Sequence, residues 1–161
     1  MIPLVRIPKF GAGEIGAGAV ILPHSAFGVA APSNLLVDGD MELADTSAWT
    51  PSPWVSLSKE TTNPHGGLRV LRLTWVGASN PGCSQALPAG KTIRVTGWAR
   101  GDGTPHGKPR VIVGAALWTG TISTSWQYFD ITGVSTGTLQ LVVAASALAY
   151  CEFDDVIAVE V

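Results

Sequence analysis

Short segments in which apolar and polar residues alternate occupy the chain from residue 34 onward, each bounded by turns rich in glycine, proline or asparagine. A period of two residues is typical of strands that bury one face. No stretch shows the 3.6-residue period of a helix. Strands of this length at such close spacing predict an all-β fold, either an antiparallel β-sandwich or a barrel. The segments span residues 35–37, 54–58, 68–76, 91–100, 110–118, 126–132, 138–145 and 150–161.

The first 33 residues differ from the rest because they contain scattered glycines and prolines and show no alternation. Ordering such a segment costs roughly 1–2 kcal/mol per residue, so we predict an extended N-terminal arm over residues 1–33 that lies against a neighbouring subunit. Residues 34–161 form the predicted β-domain. Glu14 and the prolines interrupt every candidate apolar run in the arm, so no secretion signal is expected.

A glycine motif within the arm, Gly11-x-Gly13-x-x-Gly16, has the spacing of a dinucleotide-binding loop. Such a loop needs a strand before its first glycine and a helix after its last, since the pyrophosphate lies at the helix N-terminus. Pro8 disrupts the strand, and further glycines and prolines over residues 17–32 prevent the helix. The motif therefore does not predict nucleotide binding.

Charge and cysteine content exclude several other functions. Only 14% of the residues are charged and the net charge is −2, so there is no basic surface for nucleic acid or an anionic membrane. No apolar run approaches the ~20 residues of a membrane span. Cys83 and Cys151 are too far apart for a metal motif, and we expect two buried thiols, with one disulfide as the alternative.

The sequence gives little support for catalysis. His24, His65 and His106 lie in the arm or in Pro-His-Gly turns, and none has an acidic or hydroxyl partner at a suggestive spacing. Glycoside hydrolysis needs two acids that face each other across a cleft, and no such pair is identified. We therefore predict that the chain is not an enzyme.

Three motifs, in order, carry a resemblance to a known family. These are NLLVDGDMELADTSAWT (34–50), SQALPAGKTIRVTGWARG (84–101) and FDDVIAVEV (153–161). They resemble the opening, middle and closing strand of carbohydrate-binding modules of the family 4/9 type. The resemblance covers residues 34–161 and implies a galactose-binding-like jelly-roll β-sandwich. Because the same jelly roll is grafted onto viral tails, capsids and adhesins, it does not by itself imply sugar binding.

The resemblance also implies a structural calcium ion that ties the opening segment to the closing strand. The matching carboxylates are Asp40, Glu42 and Asp155, and hard oxygen donors of this kind suit Ca²⁺. The sequence departs from the family at Asp38, usually Asn, and at Met41, usually Phe. The alternative is that these acids belong to a turn and to a solvated strand end.

Alternation also places aromatic and arginine side chains on the outward face of the sandwich, whereas Trp49 and Trp75 are predicted to pack in the core. The predicted outward set comprises Trp98, Trp118, Tyr128, Arg94, Arg100 and Arg110. Aromatic rings beside arginines suit a protein interface, which we favour. They also suit stacking on a sugar, or the arginine stems simply cover the rings.

Two function classes follow from the sequence. The first, which we favour, is a structural protein of a phage virion, assembled in the host cytoplasm. It would be a capsid decoration or minor capsid protein whose arm contacts the major capsid protein or other virion proteins. A homo-oligomer, specifically a trimer, is expected there. The second is a carbohydrate-binding module, or a tail or baseplate protein, that binds host-surface glycans. Neither class involves nucleic acid or a membrane.

Overall fold

The computed structural model describes residues 33–77, 80–145 and 147–161. The predicted arm lies outside the described residues except for Ser33, so its prediction is not tested. All regular secondary structure in the described part is β-strand. That part contains no helix with the length and hydropathy needed to span a bilayer.

Ten antiparallel strands form two sheets of five strands each. The first sheet has the order β1-β4-β9-β6-β7, and the second sheet has the order β2-β3-β10-β5-β8. The predicted jelly-roll β-sandwich is thus confirmed. The strands are β1 (Thr50–Pro51), β2 (Val55–Glu60), β3 (Val70–Trp75), β4 (Gly82–Ala86), β5 (Thr92–Gly101), β6 (Lys108–Val113), β7 (Ala116–Thr119), β8 (Gln127–Val134), β9 (Thr138–Ala144) and β10 (Tyr150–Glu160).

The core lies between the two sheets and is built from the inward residue of each alternating pair. Trp49 is fully buried in it, and Trp75 packs against it while partly buried, as predicted. Cys83 and Cys151 are both buried and unpaired. Burial raises the pKa of each thiol, so neither is an effective nucleophile near neutral pH.

The segment 110–118, predicted as one strand, folds back on itself as β6 and β7. Gly114 has a φ of +56°, in the left-handed region that glycine adopts readily. A Cβ at this position would collide with the Val134 carbonyl oxygen. Because Val113 pairs with Ala116 across this turn and Val111 with Trp118, Trp118 lies on the inner face of the first sheet and not on the outward face predicted for it.

Residues 35–37, also predicted as a strand, form bends and turns. Side chains satisfy the backbone here: the Asn34 amide exchanges hydrogen bonds with the backbone of β10, and the Gln85 amide does so with both N and O of Val37. The buried ammonium group of Lys59 lies 2.5 Å from Asp38 Oδ2 and donates to a nearby carbonyl. Side-chain hydrogen bonds therefore anchor the opening segment, where strand pairing had been predicted.

Candidate functional site

Four aromatic rings lie together on the outer face of the second sheet. Trp98 on β5 pairs directly with Tyr128 on β8, and their rings meet edge to face with centroids 5.3 Å apart. His65 stacks on Trp98 with ring centroids 4.1 Å apart. It also meets Trp126, which immediately precedes β8, edge to face with centroids 5.9 Å apart. Such offset and edge contacts are the preferred aromatic geometries. We call this surface the aromatic face, defined by His65, Trp98, Trp126 and Tyr128.

Residues 61–69, which we call the strap, connect β2 to β3 and pack over this outer face. Carboxylate side chains accept hydrogen bonds from the backbone amides of the strap. Asp154 Oδ2 accepts hydrogen bonds from two strap backbone amides, at 2.8 and 3.0 Å, and Glu42 Oε1 accepts from two others, at 2.8 and 2.9 Å. Asp155 Oδ2 lies 2.7 Å from Nδ1 of His65. The strap thereby fixes the His65 ring against Trp98.

A β-bulge in β10 explains how consecutive aspartates reach the same loop. The register of β10 against β5 shifts between Asp154 and Ile157, and Asp155 has a φ of +49°. A bulge adds a residue and re-aims a side chain that strict alternation would send to the other face. On the strap side, Gly66 and Gly67 make the approach possible, because a Cβ at either would strike Asp155 or Glu42 respectively.

Burial under the strap changes the ionisation of Asp154. The side chain is fully buried, and this desolvation raises the pKa of its carboxyl to about 6, with a smaller contribution from the charge of Asp155. The hydrogen bonds from the strap amides oppose the increase. At the more exposed edge of the strap, the backbone amides of Arg69 and Leu68 instead lower the pKa of Glu42.

Arg100, predicted as a binding residue, is buried and forms its hydrogen bonds within the protein. Its Nε lies 2.5 Å from Glu152 Oε2, and its Nη2 donates to the Thr62 carbonyl of the strap at 2.9 Å. Arg72 donates to the other Glu152 oxygen at 2.8 Å. The Arg100 guanidinium also lies 4.5 Å from the centroid of the Trp126 ring. Arg100 therefore positions the strap and Trp126, and only 8% of its surface is exposed.

Arg94 remains near the surface, beside Tyr128. Its Nε and Nη2 donate to the two oxygens of Asp130 at 2.9 and 2.6 Å, in a bidentate pair. The hydrogen bonds and charges of this pair raise the pKa of Arg94 and lower that of Asp130. Arg94, Trp98, Arg100 and Tyr128 thus share the outer face of the second sheet, in agreement with the predicted alternation.

Trp118 does not belong to this set, and its predicted position was wrong. The β6–β7 turn places it in the other sheet, where its ring lies 5.3 Å from that of Phe129 and packs against the core. Arg110 lies on the outer face of the first sheet, with its Nε 3.2 Å from Thr119 Oγ1.

His65 and Trp126 complete the aromatic face, although neither was predicted to be a binding residue. Trp126 could have been found, since it alternates in phase with Tyr128 in the run 126–132. His65 carried no such signal, because its partners Trp98 and Asp155 are distant in sequence and meet it only through the strap.

The three carboxylates predicted for calcium do not form one group: Asp40 and Asp155 line the same cavity, but Glu42 is not part of its lining. The described residues include no cluster of three or more His, Cys, Asp or Glu side chains suited to a metal. Glu42 Oε1 and Asp155 Oδ2 already accept from strap donors, and Asp40 Oδ1 lies 3.5 Å from the Glu42 amide. As placed, the three side chains do not fit a calcium site, and calcium binding stays a prediction from the resemblance.

No protein-family model matches the chain, and no curated protein matches it either. Solved structures do. The chain is similar to the CBM22-1 xylan-binding domain of Xyn10C from Paenibacillus barcinonensis, with a TM-score of 0.60 and 15% identity over 82% of this chain and 98% of that one. It is also similar to a family 16 carbohydrate-binding module, with a TM-score of 0.59 and 21% identity over 79% of this chain and 100% of that one.

A third similar structure comes from a phage. The enzymatically active domain of tailspike protein 4 from bacteriophage CBA120 matches with a TM-score of 0.58 and 12% identity, over 80% of this chain but only 21% of the tailspike chain. The same fold therefore occurs both as a whole binding module and as part of a larger chain. At these identities the similarity establishes the fold: this chain has the β-sandwich architecture of carbohydrate-binding modules.

Proposed function

We propose that this chain is a non-catalytic module that binds a glycan on the aromatic face. One observation carries the proposal: four aromatic rings contact one another on an outer sheet face, within a fold shared with carbohydrate-binding modules. Pyranose rings carry apolar C–H surfaces that pack against aromatic rings, while nearby polar groups fix their orientation. Glycan binding was the alternative prediction from the sequence, and the fold similarity to carbohydrate-binding modules favours it over capsid decoration.

The rings would have different roles in binding. Tyr128 is 51% exposed and offers the most accessible ring. Trp98 is sandwiched between Tyr128 and His65, so it sets the position of both. Thr96, which pairs with Asp130 next to Tyr128, and the Asp155 carboxylate supply hydrogen-bond partners for sugar hydroxyls. A rigid aromatic surface of this kind loses little conformational entropy when a ligand binds.

Substitution of Tyr128 tests the proposal. Tyr128→Ala is expected to weaken binding to immobilised polysaccharides at least about tenfold, as loss of an aromatic anchor typically does. Trp54→Ala provides a matched control, because Trp54 is 58% exposed and lies outside the aromatic face. Affinity electrophoresis against a panel of neutral and acidic polysaccharides would measure both. The proposal is wrong if the wild-type chain binds none of them, or if Trp54→Ala weakens binding as much as Tyr128→Ala.

A second candidate is a structural or host-attachment protein of a phage virion. The similarity to the tailspike domain supports it at the level of fold, and the glycine- and proline-rich arm predicted from the sequence supplies a segment for contacts between subunits. In this case the chain forms a homo-oligomer, predicted as a trimer. Light scattering on the full chain and on residues 34–161 tests this function: the full chain is expected to oligomerise and the shorter one to be monomeric. A monomeric full chain would contradict it.

A further inference from the structure

Charged groups on and beneath the aromatic face are paired within the chain. Three arginines pair with three carboxylates, since Arg72 contacts both Glu60 and Glu152, Arg100 shares Glu152, and Arg94 has Asp130. Asp155 faces His65. Asp154 adds a further carboxyl beneath the strap. The pairs are Arg94–Asp130, Arg100–Glu152, Arg72–Glu152, Arg72–Glu60 and His65–Asp155.

We infer that the aromatic face selects uncharged sugars over acidic ones, and that Asp130 is the residue that enforces this selection. The inference rests on the proposed function, because it assigns a ligand class to the same face. Acidic sugars carry carboxylates, which proteins bind most effectively with a free arginine fork that donates two parallel hydrogen bonds. Asp130 already occupies both donors of the Arg94 fork.

The Arg94–Asp130 pair is more exposed to solvent than the arginine pairs of Glu152. Arg100 and Glu152 are buried beneath the strap, so a ligand on the surface cannot reach them. The Arg94 and Asp130 side chains are 49% and 37% exposed. Asp130 lies two residues after Tyr128 on β8, and both point to the same face. Among the paired arginines Arg94 therefore has the most accessible side chain, at 49% exposure against 26% for Arg72 and 9% for Arg100. Asp130 occupies its guanidinium donors.

The selection works through both attraction and repulsion. With Asp130 present, an acidic sugar meets an occupied guanidinium and also the negative charges of Asp130 and Asp155. Specificity is commonly built in this way, by unfavourable contacts to the wrong ligand as well as favourable contacts to the right one. Replacing Asp130 with a neutral residue frees the Arg94 guanidinium and removes one of these two negative charges. Since exposed ion pairs contribute little to folding, the variant is expected to fold normally.

Asp130→Asn in the full chain tests the inference. The matched control is Glu160→Gln, which breaks another exposed pair and frees Lys91, whose Nζ lies 2.6 Å from Glu160 Oε1 beyond the far end of β5. Each protein would be titrated with neutral oligosaccharides of galactose, glucose and xylose, and with oligogalacturonate of similar length as the acidic probe. Folding is checked by thermal melting, and Asp130→Thr, which suits a strand position, provides a second variant.

The expected result has three parts. The wild type binds at least one neutral probe and binds oligogalacturonate at least about tenfold more weakly. Asp130→Asn raises the affinity for oligogalacturonate about fivefold or more, in a manner that added salt suppresses, and changes neutral binding less than about twofold. Glu160→Gln behaves as the wild type. Unchanged oligogalacturonate affinity in both Asp130 variants, or a wild-type preference for oligogalacturonate, overturns the inference alone. Absence of binding by the wild type to every probe, neutral or acidic, overturns the proposed function, and the inference with it.

Discussion

The outer faces of the two sheets are built from the same alternating pattern, yet they present different chemistry. Across the first sheet the pairings place Thr50, Ser84, Gln140, Ile112 and Leu117 in one row of small, polar and aliphatic side chains. No aromatic ring points outward from the described strands of that sheet. Across the second sheet the corresponding rows carry ion pairs and the aromatic face, and the strap lies over them.

This comparison shows that the strands and the loops have separate roles. Alternation decides which side chains point outward on both sheets. On the second sheet, the strap then covers part of that surface, so that Glu152 is 1% exposed although it points away from the core. Charges that would be solvated on an open face become a buried network, and aromatic rings gain fixed neighbours.

The largest expected effect comes from Glu152. Glu152→Ala leaves Arg72 and Arg100 without their shared carboxylate, and breaking a buried ion pair in this way typically costs about 3–5 kcal/mol. Gln140→Ala on the exposed face of the first sheet is the control and should change the free energy of unfolding by less than about 0.5 kcal/mol. Urea denaturation of both variants measures the difference. Equal stabilities would mean that the strap does not bury the network.

A smaller effect, with a defined pH dependence, is expected at Asp154. Its raised pKa means that its stabilising contribution is fully present below the unfolded value of 3.8 and is lost as the pH rises through about 6. Relative to Asp154→Asn, the wild type should therefore gain stability from pH 7 to pH 4, by about 1.4 kcal/mol for each unit of the pKa increase. Asn keeps one oxygen for the strap amides.

The quantity to measure is the difference in the free energy of unfolding between the wild type and Asp154→Asn. Glu42 and Asp130 have lowered pKa values and change the stability of both proteins in the opposite direction, so their contribution cancels in this difference. Denaturant melts at pH 7, 6, 5 and 4 would follow it. A difference that stays constant across this range would show that Asp154 is not desolvated by the strap, and the contrast between the two outer faces would then be weaker.

The smallest expected effect concerns calcium. Binding at Asp40, Glu42 and Asp155 would make the melting temperature fall on addition of EDTA, and Asp155→Ala would remove that sensitivity. Because Glu42 and Asp155 already accept hydrogen bonds from the strap, we expect a shift of less than about 1 °C. A larger EDTA-dependent shift that Asp155→Ala abolishes would restore the calcium site implied by the resemblance.

The alternating pattern predicts which residues form strands and which face they share, but not the contacts that turns and loops create. The β-sandwich and the shared face of Arg94, Trp98, Arg100 and Tyr128 follow from a period of two residues. β4 was missed because Gly82–Ala86 contains no β-branched or aromatic residue to signal a strand. Trp118 was placed on the wrong face because alternation alone does not reveal a two-residue turn.

The role of His65 could not be predicted for a different reason. Its contacts with Trp98 and Asp155 join positions far apart in the chain. They depend on the path of the strap and on the bulge in β10, which no local pattern in a single sequence specifies. The same holds for the pairing of Arg100 with Glu152, since alternation gives the face of each side chain but not its partner.

The strap begins and ends on adjacent strands, because Glu60 at the end of β2 pairs with Val70 at the start of β3. Its two ends are therefore held side by side by the sheet, whatever lies between them. A loop anchored in this way tolerates substitution at its exposed positions, such as Thr61 and Leu68, while the hairpin that carries it keeps its geometry. Libraries at these positions, with His65, Gly66 and Gly67 kept, would vary the surface beside the aromatic face without exposing the Glu152 network, which makes this chain a scaffold for engineering new recognition.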